Sequence, residues 1–272
     1  MKKALLLFLF PITVFAGADN YPLGSRSAGL GGAGASLSDL WSTSNNQAGL
    51  AFVKSTSAGV YYENRFLIKE LSLGGAAVVI PVKGGAFGAM MSSFGYSLYT
   101  ENKYGLSFAK AFGENFSAGI QLDYLTANIA DGYGSKGVAA VEIGIQAKPI
   151  RNLAVGAHIF NPTRTKIISN ELYTERAPMI FRLGMDYKFS EKVVVVIETQ
   201  KDIDYKPEFK TGIEYKPVKE FYLRAGVSTN PQSSSFGFGF SLKNFKIDIS
   251  SSYHFVLGFT PNVGLVYEFK KN

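Results

Sequence analysis

Phe221-Tyr222-Leu223-Arg224-Ala225-Gly226-Val227-Ser228 and, a few residues on, Phe236-Gly237-Phe238-Gly239-Phe240-Ser241-Leu242-Lys243 carry the reading of the fold. In the first run Phe221, Leu223, Ala225 and Val227 alternate with Tyr222, Arg224, Gly226 and Ser228; in the second, Phe236, Phe238, Phe240 and Leu242 alternate with Gly237, Gly239, Ser241 and Lys243. Successive side chains of an extended strand face opposite ways, so each run has one apolar face and one small or polar face, a separation that no helix would keep. Just upstream, Phe209, Thr211, Ile213 and Tyr215 alternate with Lys210, Gly212, Glu214 and Lys216 in the same manner.

Outward from these runs the period of two extends from Ser57 to Phe269 and divides into about fourteen segments. Their spans are 57–66, 71–82, 84–95, 103–112, 115–127, 136–148, 152–160, 178–189, 191–202, 206–217, 220–229, 233–243, 244–254 and 258–269, with twelve strands as the alternative count. Each is near the ~9 to 11 residues that a tilted membrane strand requires. With a periplasmic start, every second connection should be tight and the rest free to be longer. The tight ones centre on Lys83, Gly113-Glu114, Pro149-Ile150-Arg151, Ser190, Val218-Lys219 and Lys243-Asn244, and the outer ones include 96–102, 128–135 and the long 161–177. An even count places both termini on the periplasmic side.

A secreted β-sandwich would alternate too, but its apolar faces would have to bury each other. Here the second face is Gly, Ala and Ser with charges of both signs: Glu63, Arg65, Asp123, Glu142, Arg182, Asp186, Glu198, Lys210, Glu214, Arg224, Lys246, Asp248 and Glu268. If the apolar face meets lipid, open sheet edges are excluded and closure is the only solution. The expected fold is therefore all-β, a transmembrane antiparallel β-barrel of about fourteen strands occupying 57–272. Opposite charges can pair across its lumen, and inward glycines leave room for another segment to enter.

The ends of the chain fit this placement. Lys2 and Lys3 precede an apolar stretch from Ala4 to Phe15, and Val14-Phe15-Ala16 offers a cleavage site, so 1–16 reads as an export signal. The chain has no cysteine, which excludes a disulfide framework and a cysteine-linked lipid anchor. Its formal charge is +7, or about +5 without Lys2 and Lys3. That excess reads either as solvated turns or as contact with anionic lipopolysaccharide and lipid headgroups, and nucleic acid is not an expected partner of an exported barrel. At the other end Gly264, Tyr267 and Phe269 look like the C-terminal signal read by the barrel-assembly machinery, with Lys270, Lys271 and Asn272 following it.

Residues 17–56 do not alternate. They run Pro22-Leu23-Gly24-Ser25-Arg26-Ser27-Ala28-Gly29-Leu30-Gly31-Gly32-Ala33-Gly34-Ala35-Ser36, then Asp39-Leu40-Trp41-Ser42, then Asn45-Asn46-Gln47-Ala48-Gly49-Leu50-Ala51. Glycines allow positive φ and close backbone approach, Asn and Asp suit tight turns, and Trp41 and Leu50 point to burial rather than to a disordered leader. This stretch resembles the FadL-like outer-membrane barrels, and most closely the PorV/PorQ branch associated with type IX secretion. Arg26, Gly29, Gly31 and Gly32 match the first part of that family's pattern; Asp39, Asn46, Ala48, Gly49 and Leu50 match the second, with Gln47 where the family usually has Pro. The resemblance implies a fourteen-stranded barrel whose lumen is plugged by 17–56, and other outer-membrane or surface proteins as partners.

Chemistry is sparse. Gly29-x-Gly31-x-x-Gly34 spells a dinucleotide fingerprint, but no strand precedes it and no βαβ unit follows. His158 and His254 are dispersed; Ser250, Ser251, Ser252 and Asn161 are their nearest candidates for a hydrolase, without an orienting partner. No catalytic residue, metal or cofactor is expected. Ile167, Ile168, Leu172 and Tyr173 in one outer loop, and Tyr253, Phe255, Val256, Leu257 and Phe259 near another, mark either a partner or ligand surface or caps on the barrel mouth. The resemblance implies a non-catalytic subunit or scaffold of an outer-membrane export or assembly complex. The alternatives are passage of hydrophobic small molecules, leaving sideways through the wall, and a barrel hydrolase. Transporters of the FadL type enclose a pocket, typically ~300 Å³ or more for such ligands. The short outer loops here tilt the expectation to the scaffold.

Overall fold

The computed structural model describes residues 20–130, 134–169 and 174–270. Fourteen strands close into one antiparallel barrel: β1 (Ser57–Asn64), β2 (Ser72–Val82), β3 (Gly85–Tyr96), β4 (Tyr99–Phe112), β5 (Phe116–Ile129), β6 (Gly134–Ile150), β7 (Leu153–Phe160), β10 (Ile180–Lys188), β11 (Val193–Asp202), β12 (Glu208–Val218), β13 (Phe221–Thr229), β14 (Gln232–Leu242), β15 (Phe245–His254) and β16 (Gly258–Glu268). The connection from β7 to β10 carries a separate hairpin, β8 (Lys166–Ser169) with β9 (Thr174–Arg176). Closure is by β16 on β1, with Ser57 opposite Glu268 and Tyr62 opposite Val263. The ladder continues around the wall, with bulges between Ala147 and Ile150 and between Tyr215 and Val218.

Side-chain burial is reversed relative to a protein in water. Inward Gln121, Glu142, Gln146 and Glu198 are buried, whereas outward Leu106 and Leu122 are 69% and 62% exposed. Large apolar side chains left on the outside of every wall strand, with charges inside, fit hydrocarbon as the surrounding solvent. Among the described residues no helix is long and apolar enough to cross a membrane, so the strands would do so.

The connections at the end where Ser57 and Phe269 meet (the near end) are tight, and the Phe269 N–H bonds the Thr56 carbonyl there at 2.8 Å. The expected long connection at 96–102 does not exist: β3 runs to Tyr96 and β4 starts at Tyr99, because Tyr99 to Asn102 find ladder partners in Ile129 to Thr126. Likewise 161–177 is not irregular throughout, since β8 and β9 pair within it. Arg65, expected on a strand, sits in the short 3-10 turn Arg65–Leu67 that follows β1, with Phe66 and Leu67 at positive φ. The expected export signal, 1–16, lies outside the described residues.

Candidate functional site in the barrel lumen

Residues 20–56 hold only short pieces of regular structure: α1 (Ser25–Ala28), α2 (Ser42–Asn45) and a 3-10 helix, Gln47–Phe52. Four-residue helices cannot persist alone, because nucleation costs more than one turn returns, so their shape is set by what surrounds them. The described chain begins in the half of the barrel opposite the near end (the far end), where the Tyr21 ring packs on Phe94 at 4.6 Å and the Arg65 guanidinium stacks on Tyr21 at 4.2 Å. It then follows the inner face of the wall to Thr56 at the near end. The expectation that both termini share one side concerns residues outside the described ones; the described chain starts at the far end and finishes at the near one.

Strand glycines give this segment its space. A methyl group on Gly212 would stand 2.7 Å from Leu30 Cα, and one on Gly119 would stand 2.6 Å from the Gln47 carbonyl carbon. Both distances are below any real contact, so these wall positions accept the segment only as glycine. On the segment itself, Gly31 has φ 75° and would place a Cβ 2.7 Å from the Val227 carbonyl oxygen. Conformation and space both demand glycine there.

On the β12–β15 side the grip is ionic. Arg26 Nε and Nη2 donate to the two oxygens of Glu214 at 2.9 and 2.8 Å, and Nη1 reaches Asp39 at 3.3 Å. Arg224 donates to the same Glu214 at 2.7 Å and to Asp248 at 2.6 Å. Two guanidinium groups thus share three carboxylates. Burial disfavours the charged Arg26, but attraction and hydrogen bonding from Glu214, with Asp39 adding to them, outweigh it and hold the guanidinium above arginine's ordinary range. Next to this cluster, the Gly34 and Ala35 N–H groups both donate to Glu198 at 2.8 Å.

On the β4–β7 side the contacts are mostly neutral and fully buried. Asn46 Nδ2 donates to the Ala35 carbonyl at 2.6 Å and its Oδ1 accepts from the Ala48 N–H at 3.2 Å, which caps the Gln47–Phe52 helix. Gln47 Nε2 donates to Glu142 at 2.6 Å, and Ser117 Oγ donates to the Ala48 carbonyl at 2.9 Å. Glu142 is also paired with Lys103 and lies 2.7 Å from His158 Nε2. The His158 ring therefore has a carboxylate partner at Nε2, and its Nδ1 meets no hydrogen-bond partner among the described residues.

The residues singled out in the sequence divide among these contacts. Arg26 and Asp39 meet in the ionic cluster. Trp41 and Leu50 enter an apolar cluster with Leu23, Tyr61, Leu73 and Met90, the Trp41 ring edge-on to Tyr61 at 5.9 Å. Gly29 closes α1, its N–H on the Ser25 carbonyl, and the Gly32 N–H bonds Ser27. Gly49 leaves no room for a Cβ, which would lie 2.6 Å from the Leu37 carbonyl. Gly264 faces inward near Ser25, while Tyr267 and Phe269 face out and pack edge to face at 4.9 Å. Phe255, Leu257 and Phe259 are exposed at the far end. Ile167 and Ile168 lie on β8, Leu172 and Tyr173 fall outside the described residues, and β14 to β11 separate that connection from the Phe255 patch. Lys103, Gln121 and Gln146 were not anticipated; their inward parity on the strands was the available clue. Among the described residues no group of side chains has metal-site geometry.

Three cavities lie along the segment. One of about 710 Å³ opens at the far end, lined by Tyr21, Arg65, Ile180, Tyr205, Lys206 and Glu208 among others. A narrower one of about 180 Å³ shares Pro22, Arg65, Glu208 and Lys210 with it and continues past Gly31 and Gly32. A third, of about 370 Å³, lies at the near end around Trp41, Phe52, Lys54 and Tyr222. Arg26, Glu214, Arg224 and Asp248 line this last cavity and stand between it and the other two.

No protein-family model matches the chain, and no curated protein matches it. Solved structures do. The toluene transporter TodX of Pseudomonas putida superposes with a TM-score of 0.71 at 13% identity, covering 93% of this chain and 100% of that one. The CymD monoaromatic hydrocarbon channel gives 0.68 at 14% identity, over 92% and 98%. A FadL homologue of Pseudomonas aeruginosa gives 0.66 at 14% identity, over 91% and 98%. The fold is thus an all-β, closed, fourteen-stranded barrel like the FadL-type outer-membrane channels.

Proposed function

We propose that the chain spans the outer membrane as a non-catalytic barrel, that residues 20–56 plug its lumen, and that it passes small hydrophobic molecules inward. The observation that carries this reading is the series of three cavities along the segment, interrupted at the Arg26–Glu214–Arg224–Asp248 cluster. The near-end cavity and the other two are separated by this ionic cluster together with the turn Ser25–Ala28, in which Ser25 and Ser27 are buried, so passage would require this part of the segment to shift. The likeness to hydrocarbon channels runs over nearly the whole chain, which moves the preference from the scaffold expected from sequence to passage. The rings of Tyr21 and Tyr205 beside Arg65 suit a small aromatic solute better than a long aliphatic chain.

The test is uptake. Cells with this barrel in the outer membrane should accumulate a labelled monoaromatic hydrocarbon several-fold faster than cells without it. Arg26→Ala, which loosens the barrier but leaves Arg224 on Glu214 and Asp248, should raise the rate further at a stability cost of about 1–2 kcal/mol. Equal uptake with and without the protein would remove this reading. The scaffold reading keeps one observation in its favour: far-end connections such as Ser97-Leu98, Asn230-Pro231 and Phe255–Leu257 are very short. Stoichiometric co-purification with other surface proteins, together with no effect on uptake, would support it. The near end then faces the periplasm, and Gly264, Tyr267 and Phe269 serve the barrel-assembly machinery during insertion.

A further inference from the structure

The outer wall is not uniform. Across β6, β7, β10 and β11 the register sets Ile145, Ala157 and Leu183 side by side in one outward row, and Ile159, Phe181 and Lys201 in the next row toward the far end. The small Ala157 between larger neighbours leaves an apolar groove of about 410 Å³ on the lipid side of the wall. Lys201 lines the same groove. Its Nζ reaches the Ile203 carbonyl at 3.4 Å and the Tyr205 carbonyl, and no carboxylate among the described residues pairs with it.

The connection above the groove sets two cations against each other. In the β8–β9 hairpin Lys166 stands directly opposite Arg176, both exposed. Like charges facing each other across a ladder destabilise it unless something neutralises them, and neither has a carboxylate partner among the described residues. Arg176 Nη1 donates to the Arg164 carbonyl at 3.1 Å, and Arg164 pairs with Asp204 at 3.6 Å, next to the carbonyls that hold Lys201. Three cations without acidic partners among the described residues therefore gather at headgroup height over a groove of acyl-chain character. Phosphate oxygens are strong acceptors for such donors, and hydrocarbon chains suit the floor.

From this complementarity we infer that the β6–β11 face is a binding site for one phosphorylated, multiply acylated lipid of the outer leaflet, with its phosphate on Lys166, Arg176 and Lys201 and an acyl chain over Ala157. The site rests on the membrane-spanning reading but not on transport. Native mass spectrometry of the full chain in detergent, with diphosphorylated hexa-acyl lipid A or phosphatidylcholine added, tests it. The wild type should retain one lipid A per barrel and release phosphatidylcholine. Since each cation near a membrane surface contributes about fivefold to binding anionic lipid, the triple variant K166Q/R176Q/K201Q should weaken retention at least tenfold. Ala157→Trp, which fills the groove without altering charge, should weaken it several-fold while the folded band on unheated gels is unchanged. Equal retention of both lipids, or undiminished lipid A on the triple variant, would overturn the site. A chain that stays dispersed without detergent would instead sink the membrane reading beneath it.

Discussion

The barrel wall and the segment inside it are built on opposite terms. Each wall strand has a ladder on both sides and faces two environments that its alternation already matches, so the wall's structure is its own. The segment has short helical turns and no ladder; Arg26, Gly31, Asn46 and Gln47 hold it by contacts whose other half belongs to the wall. Its structure is conditional. The wall should therefore survive loss of the segment, whereas the segment cannot survive loss of the wall.

The largest effect should come from the wall's lipid face. Leu106 points outward in mid-β4 and is among the most exposed apolar side chains. Leu106→Arg places a cation in hydrocarbon and should cost about 2–4 kcal/mol, read as a lower urea midpoint in lipid vesicles. The folded band on unheated gels should weaken with it. A midpoint unchanged from wild type would mean that β4 does not face lipid.

Next comes removal of the segment. A chain lacking residues 20–50 should still insert and show the folded band, because no ladder is lost. Fourteen strands lie between barrels that side chains can fill and those that leave an aqueous channel, so the emptied lumen should conduct. Planar-bilayer recordings should show discrete open steps that the full chain lacks. A deletion chain that inserts but stays silent would break the comparison, since the wall would then close its own lumen.

The same contrast explains what could be read in advance. Strand positions follow from a period of two, so 57–66 anticipates Ser57–Asn64 and 233–243 anticipates Gln232–Leu242 within a residue or two. Where pairing extends a strand beyond its apolar pattern, reading fails: Tyr99 to Asn102 joined β4 because β5 offered partners. Parity identified Glu142 as inward, yet its meeting with His158 depends on a diagonal across the β6–β7 register, with Gly144 opposite His158. No local pattern specifies that diagonal. For 20–56 the glycines and Asp39 showed a tightly turned segment, but which wall carboxylate meets Arg26 is a property of closure.

The smallest expected effect separates the segment's two grips. Gln47 stands where the FadL-like resemblance has Pro, at the first position of the Gln47–Phe52 helix. Proline is tolerated there, and Asn46 before it is already extended at φ −164°, ψ 106°, the conformation that a following Pro imposes. Gln47→Pro removes the 2.6 Å bond to Glu142 and a longer one to the Thr43 carbonyl, while Glu142 keeps Lys103 and His158. It also removes Gln47 Oε1, a buried acceptor without a partner among the described residues. Loss and relief nearly offset, so stability should fall by no more than about 1 kcal/mol, less than for Arg26→Ala, and uptake should not rise. Urea midpoints of the two variants, measured side by side, check the order. If Gln47→Pro proved the more damaging, the neutral β4–β7 contacts rather than the ionic cluster would be what seats the segment.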